Sequence, residues 1–524
     1  MNQNRSTNLI SLTKTHTVIL LSIIFTSGII IRIFYTPFNV PVSLDSTSFF
    51  VYSLALIEQG PFPTDYLRVN LGWPSLLSIF LVLFENSEML ELMNIQRITS
   101  IIISTVTVIP VFYLTKIFFR KETAIISSAI FVFEPHLIIN SINGGTMSLF
   151  ILLITLSILF SLKQKNYHYL LAFVFGGLAA FVRYEGLLIL IPLIVSTFLQ
   201  KNNFKENVKR IILGAFVFFL IIIPISFIGY EKDDRIIVFD QIISGGEFVT
   251  SVMYSDELIP EEKFSKIQND KKLQIFVIDS LTGYVKFFLL TTIPILIIGI
   301  CVSVLYIRKI TKNKIIFLIF SLFLSIAGLY AYGRGIEESK YIFPLIPIMM
   351  LVVSVPIERH MTKINIKKFG IGIMIVVIVI SISYIEYQKL DYQVEEEIYE
   401  SAVFVVANAN GVNDVPGGRF VKIAELEQNW PELPPTDERG KIGFQTKKIN
   451  IKNSFNIEDF LKDSKSLGLT HIVTYNENEK EFLNDIFLNE GNYPYLSKVY
   501  DSSLLGHKKQ IKIFEIDYQK FIPK

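Results

Sequence analysis

The chain has 524 residues, of which 51% are hydrophobic and 18% are charged, and its mean hydropathy is +0.47. Because the apolar residues come in blocks of about twenty, this composition excludes an ordinary soluble globule and predicts a polytopic membrane protein. The net charge of +2 gives no reason to expect a nucleic-acid partner. Cys301 is the only cysteine, which excludes a disulfide or a cysteine-based metal site within one chain.

The first apolar run, residues 17–37, is too long for a cleaved signal sequence and predicts a first membrane span. Ten further runs cover residues 98–115, 123–139, 146–162, 167–182, 186–199, 211–227, 284–307, 315–332, 341–355 and 369–384. Residues 71–84 are also apolar, but they are few and include Gly72 and Pro74, so we expect an interfacial or re-entrant segment. The expected fold is an α-helical membrane protein with about eleven transmembrane helices.

Basic loops predict the orientation. Lys and Arg are concentrated in residues 116–121, 163–165, 201–210, 308–314 and 359–368, which marks these loops as cytoplasmic. The basic loops all fall on one side of the membrane only if residues 71–84 do not cross it. The external face then receives Asp45, residues 134–145, 183–185, 231–283 and 333–340, and everything after Glu386. We therefore expect a multi-pass protein of the cell membrane whose candidate chemical groups all lie outside.

The tail loses the long apolar runs, so we expect a membrane domain over residues 1–385 and a small external soluble α/β domain over residues 386–524. Its patterns predict helices and strands by their period. Helices are expected over residues 395–407 and 457–467, strands over 471–475, 496–500 and 511–516, and turn-rich connectors over 410–418 and 431–440.

Two carboxylates are candidate catalytic groups. Asp45 follows the first span directly, at the edge of the low-dielectric slab, where its basicity can be raised and a lipid-borne substrate can reach it. The same spacing fits a helix N-cap before residues 49–57, and the two roles can coexist. Glu134 is the carboxylate nearest the second external loop, and its place before Pro135 equally fits a helix end.

Five cations are expected at the same depth: Arg32, Arg97, Arg183, Arg334 and Lys340. Each alone fits an anchor that reaches lipid headgroups. Several cations around one acidic loop instead indicate a phosphate-bearing lipid substrate, because Arg and Lys stabilise phosphate charge in place of water.

Short motifs in a fixed order resemble a family. They are Asp45 after the first span, Gly72-Trp73-Pro74, Arg97 at the head of the second span, Arg183-Tyr184-Glu185-Gly186, and residues 340–347, Lys-Tyr-Ile-Phe-Pro-Leu-Ile-Pro. Together, over about the first 360 residues, they resemble the GT-C glycosyltransferases. The branch they resemble contains the protein O-mannosyltransferases and aminoarabinose transferases.

The resemblance implies a glycosyltransferase that moves a sugar from a polyprenyl phosphate to a hydroxyl acceptor on protein, lipid or glycan. Asp45 would act as base on the acceptor, and Arg183, Arg334 and Lys340 would contact the lipid phosphate, with Arg32 and Arg97 as weaker candidates. The Trp-Trp-Asp-Tyr-Gly motif of oligosaccharyltransferases is absent from the sequence, which disfavours transfer of a preassembled oligosaccharide to asparagine.

No metal or other cofactor is expected, because His136 and Glu134 lack a partner cluster in the sequence.

Two other classes of protein compete with the enzyme. A transporter or flippase for a lipid-linked or anionic substrate would carry ionisable groups at mid-membrane, often in paired repeats. A binding or assembly protein would need only an anchor for its tail. The clean spans with charges at one edge favour the transferase.

Overall fold

The computed structural model describes residues 13–42, 45–60, 70–84, 86–163, 167–199, 203–226, 269–305, 312–361, 366–388, 392–414, 418–430, 432, 446–449, 456–476 and 480–521. The chain forms two compact units. The helical unit comprises Met1–Thr36, Val69–Leu77 and Gln96–Gln388. The second unit comprises Pro37–Arg68, Ser78–Ile95 and Lys389–Lys524, so it contains two early segments as well as the tail. The domain boundary at 385/386 stays a prediction.

Helices occupy most of the described parts of the predicted apolar runs. In chain order up to residue 226 they are α1 (Lys14–Phe34), α2 (Asp45–Glu58), α3 (Gly72–Leu81), α4 (Met89–Val106), α5 (Val108–Lys116), α6 (Lys121–Val132), α7 (Pro135–Ile142), α8 (Met147–Leu162), α9 (His168–Val182), α10 (Leu190–Phe198) and α11 (Phe204–Ser226). They continue with α12 (Asn269–Thr292), α13 (Leu296–Val304), α14 (Lys312–Gly333), α15 (Ile346–Met361) and α16 (Ile366–Gln388).

The chain is therefore the polytopic helical protein that the composition predicts. Within the described ranges, six helices are long and apolar enough to cross a membrane, and a seventh is added if the bent pair α6 and α7 is one span. Shorter apolar helices accompany them, including α8 and α9. The number of eleven spans stays a prediction. The segment from Gly72 to Phe84 is short, as expected.

Helix α1 illustrates how a span meets lipid on one side and protein on the other. Its buried residues include Ile24, Gly28 and Arg32, which recur every four positions and so form one strip along the helix. The other faces carry exposed apolar side chains such as Ile23 and Ile30. An apolar surface of this kind is stable in hydrocarbon rather than in water.

One predicted span is placed wrongly. The run 284–307 was expected to form one helix after a long loop, but α12 begins at Asn269 and ends at Thr292. A break at residues 293–295 separates it from α13. Pro294 explains the break, because proline lacks the N–H that a helix interior needs. Residues 231–268 of the expected loop lie outside the described residues.

The basic loops gather at one end of the helical unit. Arg120 Nε pairs with Glu358 Oε1 at 2.6 Å. Lys163 Nζ lies 5.6 Å from the Tyr113 ring centre, and the Arg210 guanidinium carbon lies 5.1 Å from the Tyr169 ring centre. Each of these contacts places a basic loop beside the end of a neighbouring helix, and Lys116 and Lys163 both lie against the Tyr113 ring. We name this the basic end. The opposite end, here the distal end, is reached by the C-termini of α1, α7, α9 and α16.

The tail of the second unit is an α/β fold, as predicted. Its helices are α17 (Tyr392–Asn408), α18 (Gly418–Asn429), α19 (Ile457–Lys465) and α20 (Glu481–Leu488), and its strands are β1 (Gly411–Val412), β2 (Lys447–Lys448), β3 (His471–Thr474), β4 (Leu496–Asp501) and β5 (Lys512–Ile516). The sheet order is β2-β1-β3-β5-β4, with β1 parallel to β2 and β3 and with β5 antiparallel to β3 and β4.

Both helices and all three strands expected in the tail are present. The predicted connector 410–418 is wrong in part, because it contains β1. A strand of two residues has no alternation to detect, so only its parallel pairing with β2 and β3 defines it. One face of the sheet packs its apolar residues against α17, and the other packs against α19 and α20.

Candidate functional site

Arg183 is the centre of a buried polar cluster at the distal end. It follows α9 in an extended conformation and precedes a 3₁₀ turn, Tyr184–Ile189. The chain folds back closely onto α9 here, since a methyl group added at Gly186 would lie 2.5 Å from the backbone nitrogen of Ala180. Only glycine permits this approach. The turn holds Arg183 at 5% exposure inside the unit.

The Arg183 guanidinium donates hydrogen bonds to two side chains and lies near one aromatic ring. Nη1 donates to Thr146 Oγ1 at 3.0 Å, and Nη2 donates to Glu185 Oε1 at 2.5 Å. The Phe150 ring centre lies 5.9 Å from the guanidinium carbon. Arg183 is therefore held by a carboxylate from its own turn and by a hydroxyl from the second loop.

The Gly72-Trp73-Pro74 segment contacts the same turn. Asn70 Oδ1 accepts a hydrogen bond from Tyr184 N at 3.2 Å, and a methyl group on Gly72 would lie 2.8 Å from Val182 Cα. Trp73 is fully buried. Two motifs that are far apart in sequence thus adjoin in the fold.

Three buried polar atoms in these adjoining motifs have no hydrogen-bond partner among the described residues: Trp73 Nε1, Arg183 Nε and Glu185 Oε2. Buried polar groups are almost always hydrogen-bonded, so these three atoms are candidates to bind a polar ligand.

Tyrosines connect Arg183 to two of the other predicted cations. Tyr184 and Tyr341 both lie within electrostatic range of Arg183. Lys340 Nζ lies 5.8 Å from the Tyr341 ring centre, and it pairs with Glu338.

Arg334 joins the same group through Tyr330, which lies within electrostatic range of Tyr184. The Arg334 guanidinium is 5.6 Å from the Tyr330 ring centre, and its Nη1 donates to the Tyr330 hydroxyl at 3.4 Å. Tyrosine interactions thus link Arg183 to Lys340 through Tyr341, and to Arg334 through Tyr184 and Tyr330. We name this group of three cations and three tyrosines the cation site.

The loop between α7 and α8 places Thr146 beside Arg183. On its other side, Gln96 Nε2 donates to Gly144 O at 2.8 Å, and Ser100 Oγ bonds Ser148 Oγ at 2.8 Å. Arg97 lies between these two α4 residues in sequence and is 3% exposed. The predicted cation Arg97 is thus on the helix that braces this loop.

Arg32 is fully buried and donates three hydrogen bonds to the protein. Its Nε donates to Ser141 Oγ at 3.1 Å, Nη1 to Gly28 O at 3.1 Å, and Nη2 to Ser104 Oγ at 3.4 Å. These bonds join α1 to α4 and α7. Substrate binding by Arg32 stays a prediction, while the geometry gives it a packing role.

Glu134 is the N-cap of α7. Its Oε2 accepts from Leu137 N at 2.9 Å and its Oε1 contacts His136 Nδ1 at 2.9 Å, while His136 Nε2 lies 3.0 Å from the Tyr384 hydroxyl. The helix-end interpretation of Glu134 is therefore correct, and its catalytic role stays a prediction. Among the described residues, no group of three His, Cys, Asp or Glu could hold a metal ion.

Asp45 is the first residue of α2, in the second unit. It is exposed, whereas Ser46, Thr47, Phe49 and Phe50 behind it are buried. A carboxylate in the first turn is favoured by the helix dipole. The helix expected after Asp45 is present, but it begins at Asp45 itself rather than near residue 49. The chemical role of Asp45 stays a prediction.

Sequence reasoning missed the partners of the cations. Thr146, Tyr184, Glu185, Tyr330 and Tyr341 were not singled out as site residues. Glu185 had a detectable signal, since it and Arg183 are the two charged residues between the apolar runs 167–182 and 186–199. The tyrosines had none, because aromatic residues are common at both edges of a membrane.

Comparison with known proteins bears on this fold. Residues 72–228 match the family described as dolichyl-phosphate-mannose-protein mannosyltransferase. The oligosaccharyltransferase of Archaeoglobus fulgidus, solved with Zn and sulfate, is similar with a TM-score of 0.54 and 12% identity over 87% of this chain and 68% of that one.

Two further solved structures are similar over nearly the whole chain. AglB from Archaeoglobus fulgidus, in complex with an inhibitory peptide and a dolichol-phosphate, gives a TM-score of 0.53 and 12% identity over 97% of this chain and 75% of that one. ArnT from Cupriavidus metallidurans, bound to undecaprenyl phosphate, gives a TM-score of 0.53 and 10% identity over 96% of this chain and 98% of that one. No curated protein matches the sequence. The resemblance predicted from the motifs is confirmed.

Proposed function

We propose that this chain, which has the GT-C fold, transfers a sugar from a polyprenyl phosphate to a hydroxyl on a protein, lipid or glycan at the external face of the cell membrane. The observation that carries the proposal is the cation site, in which tyrosine interactions link Arg183 to Arg334 and Lys340. Clustered Arg and Lys side chains at one end of an apolar bundle can stabilise a phosphate charge in place of water. A lipid-linked phosphate reaches that depth, because its chain lies in the bilayer.

The similar structures support this choice of donor. AglB was solved with a dolichol-phosphate, and ArnT with undecaprenyl phosphate. Both ligands are polyprenyl phosphates. The description of the family matched over residues 72–228 also names a dolichyl-phosphate sugar. We carry this ligand class over to the cation site. The tail, on this proposal, lies outside the cell and contributes to the external face.

In the proposed reaction the acceptor oxygen bonds to the anomeric carbon of the sugar while the bond from that carbon to the phosphate oxygen breaks. Asp45 takes the proton from the acceptor hydroxyl, and the polyprenyl phosphate leaves with the electron pair. General-base help is worth about 10²- to 10⁴-fold in rate. Arg183, Arg334 and Lys340 stabilise the charge that develops on the phosphate, and one well-placed donor of this kind is worth about 10²- to 10³-fold.

The test is transfer by the purified full chain in nanodiscs, given a panel of radiolabelled polyprenyl-phosphate sugars and a mixture of hydroxyl acceptors. We expect the label to leave one of the donors. Arg183→Gln should lower the rate by about 10²- to 10³-fold, because a neutral amide cannot replace the cation. If no donor in the panel loses its sugar, the proposal is wrong.

Arg210→Gln is the matched control. Arg210 also pairs with a glutamate, Glu206 Oε1 at 3.0 Å, but it contacts the first turn of α9 whereas Arg183 follows its last. A helix of this length separates the two arginines by about 20 Å. The proposal requires Arg210→Gln to retain transfer. An equal loss in both variants would show a general effect of removing a buried arginine.

A further inference from the structure

We propose that Glu185 is a resident counter-ion of Arg183 that the phosphate of the lipid substrate displaces, which makes Glu185 a positioning residue. This inference rests on the proposed function and concerns the same site. It assigns to the site a carboxylate that competes with the substrate for one arginine.

The first step is the burial of the pair. The side chains of Arg183 and Glu185 are 6% and 8% exposed, and Nη2 to Oε1 is 2.5 Å. A buried charge without a partner is strongly destabilising, so an arginine at this position needs an anion when substrate is absent. Glu185 provides it from the same turn, two residues away.

The second step is the geometry of the contact. Nε and Nη2 lie on the same edge of a guanidinium and form the fork that binds a carboxylate or phosphate with two parallel bonds. Glu185 uses half of this fork, because its Oε1 accepts a hydrogen bond from Arg183 Nη2. Arg183 Nε and Glu185 Oε2 both remain without a hydrogen-bond partner. Arg183 and Glu185 thus make one bond where two are available.

The third step compares the two anions. A phosphate that approaches the same edge can accept from both Nε and Nη2, so the exchange replaces one charge-assisted bond with two. Thr146 stays on Nη1 and keeps the guanidinium oriented during the exchange. Glu185 opposes binding until it leaves Nη2, because a carboxylate and a phosphate on one edge repel each other. Neutralising Glu185 should therefore strengthen phosphate binding.

The test measures the Kd of undecaprenyl phosphate for the full chain in nanodiscs. Glu185→Gln keeps an oxygen for Nη2 but removes the charge, and we expect it to lower the Kd by roughly tenfold, about the worth of one modest charge-assisted bond. Glu185→Asp, whose shorter carboxylate reaches Nη2 less well, should lower the Kd by a smaller factor. It serves as the second variant if Glu185→Gln does not fold.

Glu206→Gln is the matched control, since it neutralises the acid of the Arg210 pair at the basic end and should leave the Kd unchanged. A merely structural Glu185 would give an unchanged or higher Kd in its folded variants, and this result would overturn the inference while leaving the proposed function intact. If the wild-type chain binds no undecaprenyl phosphate and transfers no sugar, the proposed function itself fails.

Discussion

Arg32 and Ser141 are bonded across 109 positions of the chain, with Arg32 Nε donating to Ser141 Oγ at 3.1 Å inside the helical unit. The bond joins the last turn of α1 to the last turn of α7. A cation near a helix C-terminus is stabilised by the helix dipole. The same contact explains how an arginine in the first span can remain buried.

Arg32→Gln should therefore affect stability rather than substrate binding. The shorter amide cannot reach Ser141, Gly28 O and Ser104 together, and each buried group left without a partner costs about 1–3 kcal/mol. We expect a lower thermal midpoint and a lower folded yield, with an unchanged KM for the donor in the folded fraction. Lys14→Gln, at the exposed other end of α1, is the control. A raised KM at unchanged stability would restore Arg32 to the binding site.

Glu134→Ala should remove the N-cap of α7 and lower the free energy of unfolding by about 1 kcal/mol. Glu134→Asp keeps a capping carboxylate and should recover most of that loss. The measurement is thermal unfolding in detergent beside a transfer assay. A catalytic Glu134 would instead appear as a stable Glu134→Asp variant whose transfer rate falls by more than about 10²-fold.

Asp45→Asn should abolish most transfer, by about 10²- to 10⁴-fold, while the folded yield stays unchanged. The physical reason is that an amide cannot accept the acceptor's proton, although it can still begin a helix. Glu91→Gln is the control, because Glu91 is another exposed carboxylate in a first helical turn of the second unit. Wild-type turnover by Asp45→Asn in membranes supplied with lipid-linked sugar would remove Asp45 from the mechanism.

His471 should make the tail sensitive to acid. Burial lowers its pKa from the ordinary 6.5, which the nearby Glu515 only partly opposes. A lowered pKa in the folded state means that the unfolded tail binds the proton first, so stability is full above about pH 6.5 and falls as the pH drops below it. Hydrogen exchange of the β3 amides, corrected for intrinsic rates, measures this loss. His471→Gln should flatten the profile, and an equally steep profile in that variant would assign the loss to other groups.

The local chemistry of the sequence accounts for the helices and most of the tail. Runs such as 98–115 and 315–332 predict helices because backbone groups in hydrocarbon must bond within their own segment. Basic loops such as 116–121 and 163–165 predict a shared end, and the Arg120–Glu358 and Lys163–Tyr113 contacts place them there. The strands 471–475 and 511–516 follow from β-branched content. All of these signals lie within a few adjacent residues.

Only the tertiary structure could separate cations with similar sequence contexts. Arg32 and Arg183 both sit at the end of an apolar run, yet Arg32 has three bonds to the protein while Arg183 keeps one N–H without a partner. The difference depends on which side chains other helices bring to each guanidinium, here Ser141 and Ser104 against Thr146. Hydropathy predicts which segments form apolar helices, because it is a property of each segment. The Arg183–Thr146 bond and the burial of Arg183 arise only when distant segments pack together.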